Sequence, residues 1–360
     1  MNEKILMKGN EAFGAAAIKG GCELYFGYPI TPQNELPEYM SRELGKAGGT
    51  FAQAESELAA VNMAYGAAAA GKRVLISSSS PGIALMQEGL SFMASAELPV
   101  VLLNVSRGGP GIGGIQPGQA DYRQATKGGG NGDYHVVVYA PASIQEAVNF
   151  IIKAFDVSIH YRNPVMIFAD GMMGQMMEPI LMPEETVVET EADIEANKPW
   201  ALTGHKDQRE RRVCKSLRLD PAELEDHNIK LEEKYQAMKK DLVEYEATDL
   251  KGADVVFTAF GTVSRIAAEA VRLLKEDGIK AGIIRPLTLW PFPYHAFDEI
   301  DPESTKLVIS AELSMGQLIE DVELAVKGKY PVKLVQRSGG MVFTPAELAA
   351  KVKELLLEVK

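Results

Sequence analysis

The sequence predicts an α/β chain: a doubly wound domain with a largely parallel sheet, then a smaller α/β domain. Three observations carry this. Short apolar runs such as "RVLISSS", "PVVLLNV" and "PVMIFAD" alternate with helical patterns over residues 1–180, and strands covered on both faces read this way. The alternation lapses after 180 and resumes with "ADVVFTAFG" at 253. The length of 360 residues suggests about two domains, with 46% hydrophobic residues to fill their cores.

Each element has a local reason. Residues 10–20 are alanine-rich and end at Gly20-Gly21, a helix stop. Residues 22–28 read as a strand. In "YFGYPITPQNE" (25–35) Pro32 suits the first position of a helix, with Thr31 just outside as its cap. "SELAAVNMAYGAAAA" (56–70) is apolar on nearly all sides and predicts a buried helix. "VVVYA" (136–140) leads into Ser143-Ile144-Gln145-Glu146, a capping box.

The middle has a different texture. Residues 181–204 hold prolines and acidic residues with little periodicity, a linker pattern. Residues 205–247 are dense in charge and predict a solvated helical pair, or an arm that packs on a partner. The expected division is therefore 1–180, a linker and charged helical arm over 181–250, and 251–360. In the last part "SRIAAEAVRLLKEDG" reads as an amphipathic helix stopped by Gly278. "KAGIIRPLTLWPFP", "TKLVISAE" and "VKLVQRS" read as strands, and "TPAEL" (344–348) as a second capping box.

Composition excludes several functions. A formal net charge of −12 argues against nucleic-acid or anionic-membrane binding, which need a basic face. No run approaches the roughly 20 apolar residues of a membrane span, and the start "MNEKILMKGNEAF" has no signal-peptide core. A cytoplasmic protein is expected. Cys22 and Cys214 are too few and too far apart for a cluster. His135, His160, His205, His227 and His295 lack ligand spacing, so no metal site is expected. "GPGIGG" (109–114) fits G-x-G-x-x-G. However, it carries Pro110 and does not open a helix, so it is not read as a dinucleotide turn.

Three features remain. Thr31 is either a helix cap or a ligand contact, since anions collect at helix N-termini and ligands at the carboxyl ends of parallel strands. Glu57 lies in the first turn of the alanine-rich helix. It either complements the helix dipole or meets a ligand N–H, because a buried carboxylate without a donor is costly. Arg107 ends a strand and enters a glycine loop; it pairs either with an internal carboxylate or with a ligand's carboxylate.

Together these segments resemble the α subunit of the 2-oxoacid:ferredoxin oxidoreductases. The likeness runs through "YPITP", the Ala-rich helix, "SSSSPG", "NVSRGGPGIGG", "FGTVSR", "IIRPLTLWPFP" and "AELSMGQL", in order. "SSSSPGIALMQEG" and "IQPGQADYRQATKGGGNGDYH" look most like the branched-chain, 2-oxoisovalerate branch. The resemblance implies a thiamine-diphosphate-binding domain of the pyrimidine type, then a transketolase C-terminal-like domain. It implies that Thr31 and Arg107 bind the substrate carboxylate. Glu57, nine residues before Gly66, would meet the aminopyrimidine of thiamine diphosphate; Glu55 fits that spacing less well. It implies that Ser80 lies beside the cofactor.

The implied reaction is oxidative decarboxylation of a 2-oxoacid to an acyl-coenzyme A and carbon dioxide, with ferredoxin reduced. No G-D-G-x(n)-N-N segment is present, and "ADGMMGQ" (169–175) does not supply one. The resemblance therefore implies a β subunit that holds the diphosphate through Mg²⁺. It further implies γ and ferredoxin-like subunits, with [4Fe-4S] clusters outside this chain. Three alternatives stand beside it: a 2-oxoglutarate-specific subunit, the β component of an NAD-linked 2-oxoacid dehydrogenase, and a non-catalytic scaffold.

Overall fold

The computed structural model describes residues 4–184, 186–205 and 207–359. In chain order the elements are β1 (Ile5–Lys8), α1 (Gly9–Lys19), β2 (Leu24–Gly27), α2 (Glu35–Glu43), β3 (Thr50–Gln53), α3 (Glu57–Ala69), β4 (Val74–Ser78), α4 (Ser80–Ser95), β5 (Val101–Ser106), α5 (Tyr122–Lys127), β6 (Val137–Tyr139), α6 (Ile144–Tyr161), β7 (Val165–Asp170), α7 (Gly171–Gln175) and β8 (Met177–Ile180). There follow α8 (Glu191–Asn197), α9 (Pro221–Asp241), β9 (Tyr245–Thr248), β10 (Val255–Thr258), α10 (Gly261–Glu276), β11 (Ala281–Pro286), β12 (Thr288–Trp290), β13 (Leu307–Glu312), α11 (Leu318–Val326), β14 (Val332–Gln336) and α12 (Pro345–Glu358).

The larger sheet has seven strands in the order β12-β6-β7-β5-β4-β2-β3. Its neighbours are parallel except at the edge, where β12 runs antiparallel to β6. β4, β5 and β7 are buried at every residue, as their unbroken apolar runs require. Helices α1 and α6 pack together, as do α3 and α4. The chain passes from β2 to β3 on one side, then returns to place β4 on the other side of β2. Strand order thus reverses between β2 and β4, and a ligand crevice opens at such a switch point, beyond the strands' carboxyl ends.

The smaller sheet, β14-β13-β10-β11-β9, is parallel except for β9. The two sheets exchange strands across the middle of the chain: β12 completes the larger one, and β9 edges the smaller. Polar contacts bind the halves. Asp321, with no exposed surface, accepts from Tyr122 Oη (2.6 Å), Lys127 Nζ (2.6 Å) and Tyr294 Oη (2.5 Å). Arg285 forks onto Glu146 at 2.8 and 2.9 Å.

Several local expectations change. Thr31 does not cap a helix; residues 31–32 form a turn, and α2 starts only at Glu35 after Asn34. The capping box at 143–146 is half formed. Ser143 Oγ accepts from Glu146 N at 3.1 Å, but the Glu146 carboxylate turns to Ala142 N and Arg285. The box at Thr344 and Glu347 is complete. Helix α3 is open along its outer side, where Leu58 is 46% and Met63 39% exposed. Alanine gives a helix no apolar stripe, so periodicity could not tell its covered side from its open one.

The stretch 181–204 carries α8, capped reciprocally by Thr190 and Asp193, and packs on the larger domain. Its Lys198 is buried and donates to Gly71 O at 2.7 Å and Glu189 at 2.5 Å. Among its described residues the charged stretch 205–247 holds one helix, not two. Helix α9 is charged outward yet buries His227, Leu231, Tyr235 and Met238. His227 Nε2 meets Ser95 O at 2.8 Å, and Tyr235 meets His135 and Trp290 edge-on. His135 stacks on Trp290 at 4.4 Å, and burial pushes its imidazole down to about 4, a neutral core histidine. The docked face of α9 gives a stability test. Met238→Ala leaves a cavity under the helix and is expected to cost about 2–5 kcal/mol in denaturant unfolding.

Candidate active site

The strand ends at the switch point carry the sequence-selected residues. Ser56 Oγ caps α3 by accepting from Ala59 N at 3.2 Å, which sets Glu57 at the helix entrance. Glu57 is only 5% exposed, whereas Glu55 is exposed. Glu57 Oε1 accepts from Ser78 Oγ, at the end of β4, at 3.2 Å. The carboxylate also lies against the first turn of α4: a Cβ on Gly82 would sit 2.3 Å from Glu57 Oε1 and 2.0 Å from Ser78 Oγ. Any side chain at 82 would expel Glu57 from this position.

The energetics of Glu57 are unbalanced within the chain. Burying a carboxylate costs several kcal/mol. One hydroxyl returns about 1.5–3 kcal/mol, and a helix N-terminus adds about 0.3–1 kcal/mol. The remainder is room for a further donor.

Arg107 lies at the end of β5, 7% exposed. Its Nη1 donates to Thr31 O at 2.7 Å and its Nη2 to Ile112 O at 2.8 Å, so it joins the turn after β2 to the glycine loop. That loop folds tightly: Gly113 has φ +60°, and a Cβ there would lie 1.8 Å from Gly108 O. The internal ion pair considered for Arg107 is not formed. No carboxylate among the described residues lies within 4 Å of its guanidinium, and its buried Nε has no partner. The guanidinium has more N–H donors than these two carbonyls use. Thr31 itself is exposed on the same turn.

Ser80 opens α4, and its hydroxyl belongs to an internal network. It donates to Asp121 Oδ2 at 2.6 Å and accepts from Arg107 N at 3.0 Å. Asp121 Oδ2 also takes Asn104 Nδ2 at 2.9 Å and Ser106 Oγ at 3.0 Å. The smaller domain holds this segment: Gln119 donates to Phe260 O at 3.0 Å and accepts from Leu313 N at 3.0 Å. Sequence reading missed Asp121, Gln119 and Ser78, because nothing in their local spacing shows which distant strand ends they join.

The structure thus brings Thr31 to Arg107, Arg107 to Ser80, and Ser78 to Glu57, at neighbouring strand ends. Buried, unpartnered polar atoms cluster at the same strand ends: Ser79 Oγ, Asn104 Oδ1 and Arg107 Nε. These orphans and the under-satisfied Glu57 fit a polar, nitrogen-rich ligand such as an aminopyrimidine. Among the described residues no group of three or more His, Cys, Asp or Glu could hold a metal ion. No helix among them is long and apolar enough to cross a membrane.

Known proteins resemble the chain along most of its length. Residues 15–246 match the model for the thiamine-diphosphate-binding domain of pyruvate flavodoxin/ferredoxin oxidoreductases, and residues 253–348 that for pyruvate:ferredoxin oxidoreductase core domain II. Ketoisovalerate oxidoreductase subunit VorB of Methanothermobacter marburgensis is 45% identical, over 97% of each chain. 2-Oxoglutarate synthase subunit KorA of Methanocaldococcus jannaschii is 33% identical, over 96% of this chain and 98% of that one. The solved 2-oxoglutarate:ferredoxin oxidoreductase from Magnetococcus marinus, with 2-oxoglutarate, coenzyme A and succinyl-CoA bound, superposes with a TM-score of 0.86 at 28% identity. The match covers 99% of this chain and 66% of that one. A split-gene transketolase in an inactive tetramer shares the fold alone, at TM-score 0.59 and 16% identity.

Proposed function

The chain belongs to the thiamine-diphosphate-binding family of pyruvate flavodoxin/ferredoxin oxidoreductases, and from that footing we propose that it is the pyrimidine-binding subunit of a 2-oxoisovalerate:ferredoxin oxidoreductase. Family members are 2-oxoacid:ferredoxin oxidoreductase subunits, so the chain is part of an enzyme. The relative of 45% identity is named for ketoisovalerate and those near 30–33% for 2-oxoglutarate, which favours the branched-chain acid. These names also favour the ferredoxin-linked reading over an NAD-linked dehydrogenase.

The observation that carries the proposal is Glu57, a buried carboxylate held against α4 with its bonding incomplete at a switch-point crevice. In this reading Glu57 accepts a hydrogen bond from the pyrimidine ring nitrogen of thiamine diphosphate. Its charge would hold a proton on that ring nitrogen, and the bound cofactor would supply the base chemistry. Gly82 leaves the space Glu57 needs, and Ser78 fixes one of its oxygens. Thr31 Oγ1 and the spare N–H groups of Arg107 grip the 1-carboxylate of the substrate, and two backbone carbonyls hold the guanidinium in place. Ser80 sits beside the cofactor and braces Arg107 through its backbone N–H. When bound, the cofactor supplies the carbon nucleophile and the electron sink for loss of carbon dioxide.

The net reaction is 2-oxoacid plus coenzyme A plus two oxidised ferredoxins, giving acyl-coenzyme A, carbon dioxide, a proton and two reduced ferredoxins. The rest of the machinery is assigned to partners in the cytoplasm. A β subunit holds the diphosphate and Mg²⁺, while γ and ferredoxin-like subunits complete the complex and its [4Fe-4S] clusters. Within this chain we assign pyrimidine binding to residues 1–180. We assign a connecting and arm role to 181–250, and the transketolase C-terminal-like domain to 251–360.

Thr31→Val tests the substrate site. Since Thr31 caps no helix, its thermal midpoint is expected to stay within about 2 °C. KM for the 2-oxoacid in the assembled complex is expected to rise about 10-fold, the loss of one hydrogen bond to a charged group. A lowered midpoint with normal KM would refute the assignment.

A further inference from the structure

Thr31 also lines a cleft of about 620 Å³. Its lining combines Ile115, Met172 and Met176 with the amides of Asn34, Gln116 and Gln175. Resting on the function proposed above, we infer that the end of this cleft beside Thr31 receives the substrate's side chain, and that Met172, Met176 and Ile115 select an aliphatic chain over a second carboxylate.

Three observations carry this. The first is position. Thr31 belongs both to this cleft and to the turn that Arg107 holds. A 2-oxoacid gripped there by its 1-carboxylate can extend its other end along α7.

The second is surface. Ile115, Met172, Met176 and two prolines give the cleft a mainly carbon and thioether surface, while Asn34 Nδ2 lies 3.5 Å from Thr31 Oγ1. Gly171 packs against Pro32, where a Cβ would lie 3.0 Å from Pro32 Cγ. Such a surface rewards burial of methyl groups.

The third is charge. Glu35 is the one ionisable group among the described lining residues, and it is a carboxylate. It is held by Lys8 at 2.5 Å, Asn10 at 2.7 Å and Gln175 at 3.0 Å. The cations nearby are occupied: Lys8 by Glu35, and Arg265, which reaches Met176 Sδ at 3.8 Å, by Glu178 at 2.6 Å. Arg107 is committed to the 1-carboxylate. A second carboxylate in this cleft would meet no cation among the described lining residues and would approach Glu35. A pocket rejects a competitor by such uncompensated charge as well as by fit.

The test is kcat/KM for 2-oxoisovalerate and for 2-oxoglutarate, read by viologen-dye reduction with the chain in its assembled complex. Met172→Lys places a cation on the wall, and Met176→Lys repeats this on a second side chain. Both positions are half-exposed and accommodate the longer polar group. Each is expected to lower the ratio of 2-oxoisovalerate to 2-oxoglutarate by about 100-fold. Part of this comes from a gain on 2-oxoglutarate, which also appears as a lower inhibition constant for that acid. Folded lysine variants that keep the wild-type ratio overturn the inference, as does a wild-type complex that prefers 2-oxoglutarate. Arg107→Lys is the separate arm for the underlying reading. It is expected to raise KM for both acids and leave their ratio unchanged. If it alters neither KM, the carboxylate assignment fails whatever the methionines do.

Discussion

Glu57→Gln, in the complete complex, is expected to lower turnover by about 10²–10⁴-fold, the usual range for acid–base assistance. That is about 3–5 kcal/mol of transition-state stabilisation. The substitution is chosen because it isolates charge. Glutamine has the same shape, its oxygen still accepts from Ser78 Oγ, and the space left by Gly82 still admits it. The fold should survive, with an unchanged circular dichroism spectrum and unchanged assembly. What is lost is an anion facing the ligand ring nitrogen. A neutral amide would not stabilise a proton on that nitrogen. Near-normal turnover in a well-assembled complex would instead favour the scaffold reading, in which this chain only holds its partners together.

Arg107→Lys is expected to raise KM for the 2-oxoacid by about 10–100-fold, from the loss of about 1.5–3 kcal/mol in charge-assisted bonds. The present position of Arg107 explains why lysine is a poor substitute. The guanidinium spans Thr31 O and Ile112 O with its two terminal nitrogens and still has donors to offer. An ammonium is a single point. It can serve a carbonyl or the substrate, but not both carbonyls and a forked carboxylate. The glycine loop should therefore loosen as the affinity falls. Steady-state kinetics give the KM, and protease accessibility at 108–116 reads the loop. An unchanged KM would remove Arg107 from the substrate site.

Much of the candidate site could be read along the chain because strand ends announce themselves. An apolar run followed by a turn residue marks a carboxyl end, and Thr31, Ser80 and Arg107 all follow such runs. Glu57 was visible as the acid in the first turn of an otherwise apolar helix. Asp121 was not visible. It lies in an ordinary polar loop, and its value comes from three donors, one on α4 and two on β5, that only folding brings to one oxygen. Arg107's lack of an acidic neighbour was equally hidden, since composition offers many carboxylates and only geometry shows that none is within reach.

The sequence by itself determined the alternation of strands and helices, the buried character of the central strands, and which polar residues interrupt them. Those are properties of local period and of neighbours in the chain. Tertiary structure alone decided that Thr31 lies in a turn and caps nothing, and that the outer side of α3 stays open. It alone placed β12 in the larger sheet and β9 in the smaller. It also formed the cleft beside Thr31, whose one ionisable lining group among the described residues is Glu35. Each of these depends on what segments distant in sequence place against a residue, and hydrophobic period carries no record of that.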